Sequence, residues 1–259
     1  MIYLRPLTLS TLVAAATAMA ANVNIRYMPL GDSITDDVGW RSKLWEKLQG
    51  TEFASVNFVG SSTHDRNCTD AKYDRNHEGH SGFLAVEIAK QNQLEAWLKA
   101  NPADVITMHL GTNDIVHLTL TSDIIAAYTK MVATMRSSNP RMKIVVRSCF
   151  LRHLLCFLHT YSSQVAQILP IDLGGAYNEH IQELNAAIPP WAKSLTQTKS
   201  PIWVVDQYTR VVSSDLRDGV HPSDSGDEKM MNVWYPALVQ AFAAVKAEKS
   251  ARREMGFEA

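Results

Sequence analysis

Three short polar motifs in this chain carry side chains suited to acyl transfer: Gly31-Asp32-Ser33, Gly111-Thr112-Asn113-Asp114 and Asp218-Gly219-Val220-His221. Each alone reads as a turn, because Gly, Asp, Asn and Ser favour turns for local reasons. Together, in this order, they supply a nucleophile, an amide donor and a base. A serine hydroxyl is a poor nucleophile until a base takes its proton, and imidazole titrates near neutrality. Ser33 is therefore the candidate nucleophile and His221 the candidate general base. Asp218, three residues before His221, can curl back to hold the ring in one tautomer and stabilise the imidazolium. The oxyanion then needs preorganised donors. The Ser33 amide near a helix start, the Asn113 side-chain amide and a glycine that lets backbone approach closely can provide them.

The elements that must position these groups alternate along the chain. Ile25 to Leu30, Ser55 to Val59, Asp104 to Leu110, Met142 to Val146 and Ile202 to Asp206 read as short apolar strands. Between them the spacing predicts helices over Arg41 to Leu48, Phe83 to Leu98, Asp123 to Ser137 with Ser122 as cap, and His180 to Ala192 up to the Pro189-Pro190 disturbance. Met230 to Lys246 is a final amphipathic helix, and residues 248–259 a polar, frayed tail. Apolar strands separated by helices imply a parallel sheet covered on both faces, with ligands at the carboxyl ends of the strands. All three motifs fall at such ends. With no linker or internal repeat, residues 22–247 read as one domain.

Composition narrows the partners. The 259 residues carry a formal net charge of -1, which argues against nucleic acid, whose binding needs a basic stripe. Residues 1–21 read as a signal peptide: Arg5 gives the positive start, Leu7 to Ala18 is apolar or small, and Ala18-Met19-Ala20 fits a small-x-small cleavage site. That apolar run is shorter than the roughly 20 residues a membrane span needs. The mature protein is therefore expected outside the cell. Three cysteines, Cys68, Cys149 and Cys156, leave at least one thiol unpaired within a monomer, and Asn67-Cys68-Thr69 is a formal glycosylation sequon.

The motifs also carry a family resemblance. PLGDSITD, HLGTND and DGVHP resemble the first, third and fifth blocks of the SGNH (GDSL) hydrolases. NFVGS at Asn57 to Ser61, DRNHEGHSGF at Asp74 to Phe83 and NPADVITMHLGTNDI at Asn101 to Ile115 narrow the likeness to fungal-like members of carbohydrate esterase family 3, mainly acetyl xylan esterases. The likeness runs from Arg26 to about Ala244, apart from residues 147–165. It implies a three-layer α/β/α fold with a five-stranded parallel sheet in the flavodoxin-like order 2-1-3-4-5. It places the second-block glycine on Gly82, which joins Ser33 and Asn113 as the oxyanion hole beside the catalytic Ser33, His221 and Asp218. In this family the acidic partner matters less uniformly than the Ser and the His. The implied reaction is two-step removal of acetyl groups from acetylated xylan or related oligosaccharides, by a monomer with no cofactor and no metal. His77-Glu78-Gly79-His80 lacks the HExxH spacing of a zinc helix and reads as a scaffold for Gly82. Gly39 stands where family members have a cysteine before the Trp-Arg pair, leaving Cys68 without its usual partner. The rival readings are a general short-chain esterase or lipase of the same superfamily, and a carbohydrate-binding relative without turnover.

One segment breaks the pattern. Residues 147–165 hold two of the three cysteines and two of the nine histidines but none of the 26 acids. They interrupt Lys143-Ile-Val-Val146 and Ala166-Gln-Ile-Leu-Pro170, which joined directly read KIVVAQILP, a buried strand. Frame and composition favour a retained intron translated with the chain. The alternative is a lineage-specific insertion such as a lid, which would sit more naturally in a loop at the strand's end.

Overall fold

The computed structural model describes residues 23–66, 68, 70–147, 168–173 and 177–256. The expected leader and nearly all of the 147–165 segment, including its apolar Phe150, Leu154, Leu155, Phe157 and Leu158, lie outside the described residues.

Among the described residues six strands form one parallel sheet: β1 (Arg26–Gly31), β2 (Asn57–Phe58), β3 (Glu78–Gly79), β4 (Val105–His109), β5 (Lys143–Arg147) and β6 (Ile202–Val205). The order is β2-β1-β4-β5-β6. This is the expected order with one addition: the two-residue β3 also pairs with β1, setting Leu30 against Glu78 and Gly31 against Gly79. The strands are apolar on both faces because both faces are covered. Met28, Leu30, Ile106, Met108, Ile144 and Val146 join one core cluster. It is completed by residues of α3 (Ala85–Lys90), α4 (Gln93–Ala100), α6 (Thr121–Ser138) and α7 (Tyr177–Leu195). Tyr27, Val105, Val145 and Val205 belong to the other, with α2 (Trp40–Gln49) and α8 (Asp224–Glu254). Two short helices, α1 (Ser33–Asp36) and α5 (Thr112–Val116), begin at the ends of β1 and β4.

Four expectations about element limits are corrected. The helix over 83–98 is two helices, because Asn92 takes the left-handed region at φ 54° and breaks the ladder. Ser122 is not the cap of α6: the helix starts at Thr121, with Leu120 in the cap position. α7 continues through Pro189 and Pro190 to Leu195, held by burial of Ile188, Trp191 and Ala192 on one face. The tail from residue 248 is helical to Glu254, where Glu248 pairs with the buried Lys143 at 2.7 Å and Lys249 with Asp104 at 2.8 Å. The joined strand KIVVAQILP is expected of a chain without residues 147–165, whereas the full chain carries that segment. Ile168 and Leu169 are buried, but no strand covers 168–170. That stretch still runs past the site loops: Asp172 N donates to Gly219 O at 2.7 Å.

Candidate active site

Ser33 opens a helix of only four residues, so its position depends on what fixes the helix ends. At the N-terminus, the buried Asp32 carboxylate accepts from Ile34 N at 2.9 Å. At the C-terminus, the Trp40 indole donates to Ile34 O at 2.8 Å. The fully buried Arg41 guanidinium donates to Thr35 O at 2.6 Å and Asp36 O at 3.0 Å. Every free end group named here is met by a side chain, which makes a short helix rigid enough to hold a nucleophile. The fully buried Trp40 is thus both part of the core and the donor that holds a carbonyl of α1.

His221 reaches Ser33 from the loop between β6 and α8. Its Nε2 lies 2.8 Å from Ser33 Oγ, and its Nδ1 lies 2.8 Å from Asp218 Oδ2. A carboxylate at Nδ1 requires that nitrogen to carry the proton. Nε2 is then the acceptor for the Ser33 hydroxyl. Asp218 Oδ1 accepts from Val220 N at 3.1 Å and His221 N at 2.8 Å, so the loop curls around the carboxylate. Burial raises the Asp218 carboxyl, but these two amides and the His221 ring outweigh it and hold the group below the usual carboxylate range. Arg217 donates from Nη2 to Asp37 Oδ2 at 2.8 Å and to Asp37 O at 3.1 Å, tying this loop to the residue that follows α1.

The amide-donor side is built on the other flank of α1. Gly82 has φ +81°, a left-handed backbone that glycine adopts freely. Gly79 is glycine for another reason: a Cβ there would lie 2.7 Å from Asp36 N, so only a bare Cα lets β3 pack against α1. His80 N donates to Gly31 O at 2.9 Å, hanging the loop from the end of β1. Asn113 Nδ2 donates to Phe83 O at 3.1 Å, which fixes its amide beside the residue after Gly82 and leaves its second hydrogen for another acceptor.

The structure thus joins Ser33, His221 and Asp218 by hydrogen bonds, and draws Asn113 to the chain at Gly82. His77 and Glu78 are fully buried. Glu78 Oε1 lies 2.7 Å from His80 Nε2, and the His80 ring stacks on Trp97 with centroids 4.4 Å apart. Asp114, beside Asn113 in the same motif, was not singled out by the sequence reading. Its buried carboxylate accepts from Ala85 N at 2.8 Å and Val86 N at 3.1 Å, capping α3 from outside that helix. The sequence signal was the acid next to Asn113. Its partners, 29 and 28 residues away, were not visible.

These features define an α/β/α hydrolase of the serine-esterase kind. The family profile for GDSL-like lipases and acylhydrolases matches residues 30–229, and the chain belongs to that family. It is close to the carbohydrate esterases of family 3 within it. A solved family 3 carbohydrate esterase from Talaromyces cellulolyticus is 33% identical, with a TM-score of 0.71 over 83% of this chain and 97% of that one. An acetyl esterase variant solved with an acetate ion is 32% identical, with a TM-score of 0.73 over 85% of this chain and 99% of that one. A multidomain esterase of Ruminococcus flavefaciens is 30% identical over 247 residues, a match to 88% of this chain but only 30% of that protein's length.

Proposed function

We propose that the chain is a secreted esterase that removes acetyl groups from acetylated xylan or a related polysaccharide. The observation that carries this reading is the hydrogen-bonded series Ser33–His221–Asp218 at the strand ends. Ser33 attacks the acetyl carbonyl as its proton passes to His221 Nε2, and Asp218 stabilises the imidazolium. The Ser33 and Gly82 amides and the Asn113 side chain receive the oxyanion. His221 returns the proton to the departing sugar oxygen, then activates a water that releases acetate and frees Ser33.

Two observations support a carbohydrate ester over a long acyl chain. The relatives named above include a family 3 carbohydrate esterase and an acetyl esterase. A cavity of about 500 Å³ beside the His221 loop, which neither Ser33 nor His221 lines, carries mostly polar residues, among them Ser42, Lys43, Arg217, Ser223 and Asp224. That lining suits a hydrated sugar chain. Among the described residues no helix is long and apolar enough to cross a membrane.

The test compares acetate release from acetylated xylan with turnover of nitrophenyl acetate, butyrate and octanoate. Rapid acetate release from the polysaccharide, with rates falling as the acyl chain lengthens, is expected. Preference for the octanoate would turn the reading to a lipase. Xylan binding without turnover of any ester would turn it to a binding protein.

A further inference from the structure

One side-chain contact outside the Ser-His-Asp series ties the Gly82 loop to the helix of the nucleophile. Asp36 is the last residue of α1, three residues after Ser33. Its Oδ2 accepts from Ser81 Oγ at 2.6 Å, and Ser81 immediately precedes Gly82. The Asp36 side chain is only 16% exposed, while Ser81 is exposed, so the bond runs from a packed carboxylate to a loop hydroxyl at the surface. Its Oδ1 faces His64 Nδ1 at 3.3 Å and His77 Nε2 at 3.9 Å. His77 does not neutralise it. Burial foremost, helped by the Arg41 charge, lowers His77 to about 3, and the neutral ring accepts from Gly79 N at Nδ1 and donates to His64 O from Nε2.

We propose that Asp36 and Ser81 are a positioning pair, which sets how far the Gly82 amide stands from Ser33 Oγ and so the width of the oxyanion hollow. The inference rests on the esterase reading above. The other two named ties of this loop go elsewhere: His80 N to the end of β1, and Phe83 O to Asn113 on α5. Asp36–Ser81 is the tie made to α1 itself. Donors to a developing oxyanion act only when held near hydrogen-bond distance of the charge that forms, so a loop free to drift a few tenths of an ångström loses transition-state stabilisation before it loses substrate binding.

The experiment measures kcat, KM and Tm on nitrophenyl acetate for the full chain and for Ser81→Ala, Asp36→Ala, the double variant and Ser81→Thr. A positioning pair predicts that each single alanine lowers kcat about tenfold at little change in KM or Tm. It predicts that the double variant is no worse than either single one, and that Ser81→Thr, which keeps a hydroxyl, recovers most of the rate. Unchanged kcat in Ser81→Ala, losses that add in the double variant, or a rate that merely follows Tm would overturn it. Failure of the parent reading looks different. If the unaltered chain turns over no ester, or Ser33→Ala keeps the rate, both fall. If the chain is active and Ser33→Ala is dead while Ser81→Ala is normal, only the positioning pair falls.

Discussion

At the scale of single residues, geometry ranks the three members of the proposed triad. Ser33 and His221 meet directly at 2.8 Å. Asp218 is different. Its side chain is 49% exposed, and two backbone amides share its charge with the imidazole. Water can replace part of an exposed carboxylate's effect, and the loop keeps His221 tethered without it. Asp218→Ala is therefore expected to lower kcat by about 10²–10³, against about 10⁴ or more for His221→Ala, by analogy with the unequal losses in serine proteases. Equal losses from parallel assays of nitrophenyl acetate would show that Asp218 does more than its exposure suggests. The names of these residues were legible in the sequence because turn residues at strand ends are chemically distinctive. The groups that hold them were less so. Asp114, Arg41 and Asp36 act on partners brought close by the fold, and no local pattern marks such a pair.

At the scale of elements, helices around the site borrow caps from one another. Asp227, in the first turn of α8, accepts from Gly39 N at 2.9 Å at the start of α2. Burial, the dominant influence, pushes its carboxyl up to about 7 against an ordinary value near 3.8, despite the amides of Gly39 and Trp40. The raised value sets the sign. Between about pH 4 and pH 7 the folded chain binds a proton at Asp227 that the unfolded chain has lost. This group's contribution is fully present below the unfolded value and declines as pH rises through the folded one. His77 works in the opposite direction: its folded value near 3 means that its contribution declines as pH falls below about 6.5. The difference in Tm between the unaltered chain and Asp227→Asn isolates the first effect. That difference should shift toward the Asn variant as pH is raised from 5 to 8; a pH-independent difference would refute it. Sequence periodicity located these helices but misjudged their ends. A 3.6-residue pattern runs on across the left-handed Asn92, and the Pro189-Pro190 pair reads as a stop although the buried Ile188, Trp191 and Ala192 keep α7 intact.

At the scale of the whole molecule, the parallel sheet followed from apolar strands alternating with helices and its order from the family resemblance, and the structure has both. The two-residue β3 escaped because it is too short to show a period and exists through its pairing with the end of β1. The segment 147–165 remains the one stretch at odds with the rest. β5 pairs with β6 as far as Arg147, and Ile168 is buried in the core. We expect a chain lacking 147–165 to fold with a Tm at least equal to that of the full chain and to keep its esterase rate, because Ala166 can occupy the place of Arg147 in β5. A fall in Tm or loss of activity on deletion would mark the segment as part of the native design. Peptides from the purified native protein that span Val146 to Ala166 would decide whether it is present at all.

The most direct test of the account concerns Ser33. Acetate release from acetylated xylan and from nitrophenyl acetate should be measured side by side for the unaltered chain and Ser33→Ala, with Tm recorded for both. The account predicts a fall of about 10⁴ or more on both substrates at unchanged Tm, since Oγ is the attacking atom and its loss removes no core packing. Ester turnover that persists in pure Ser33→Ala protein would contradict it.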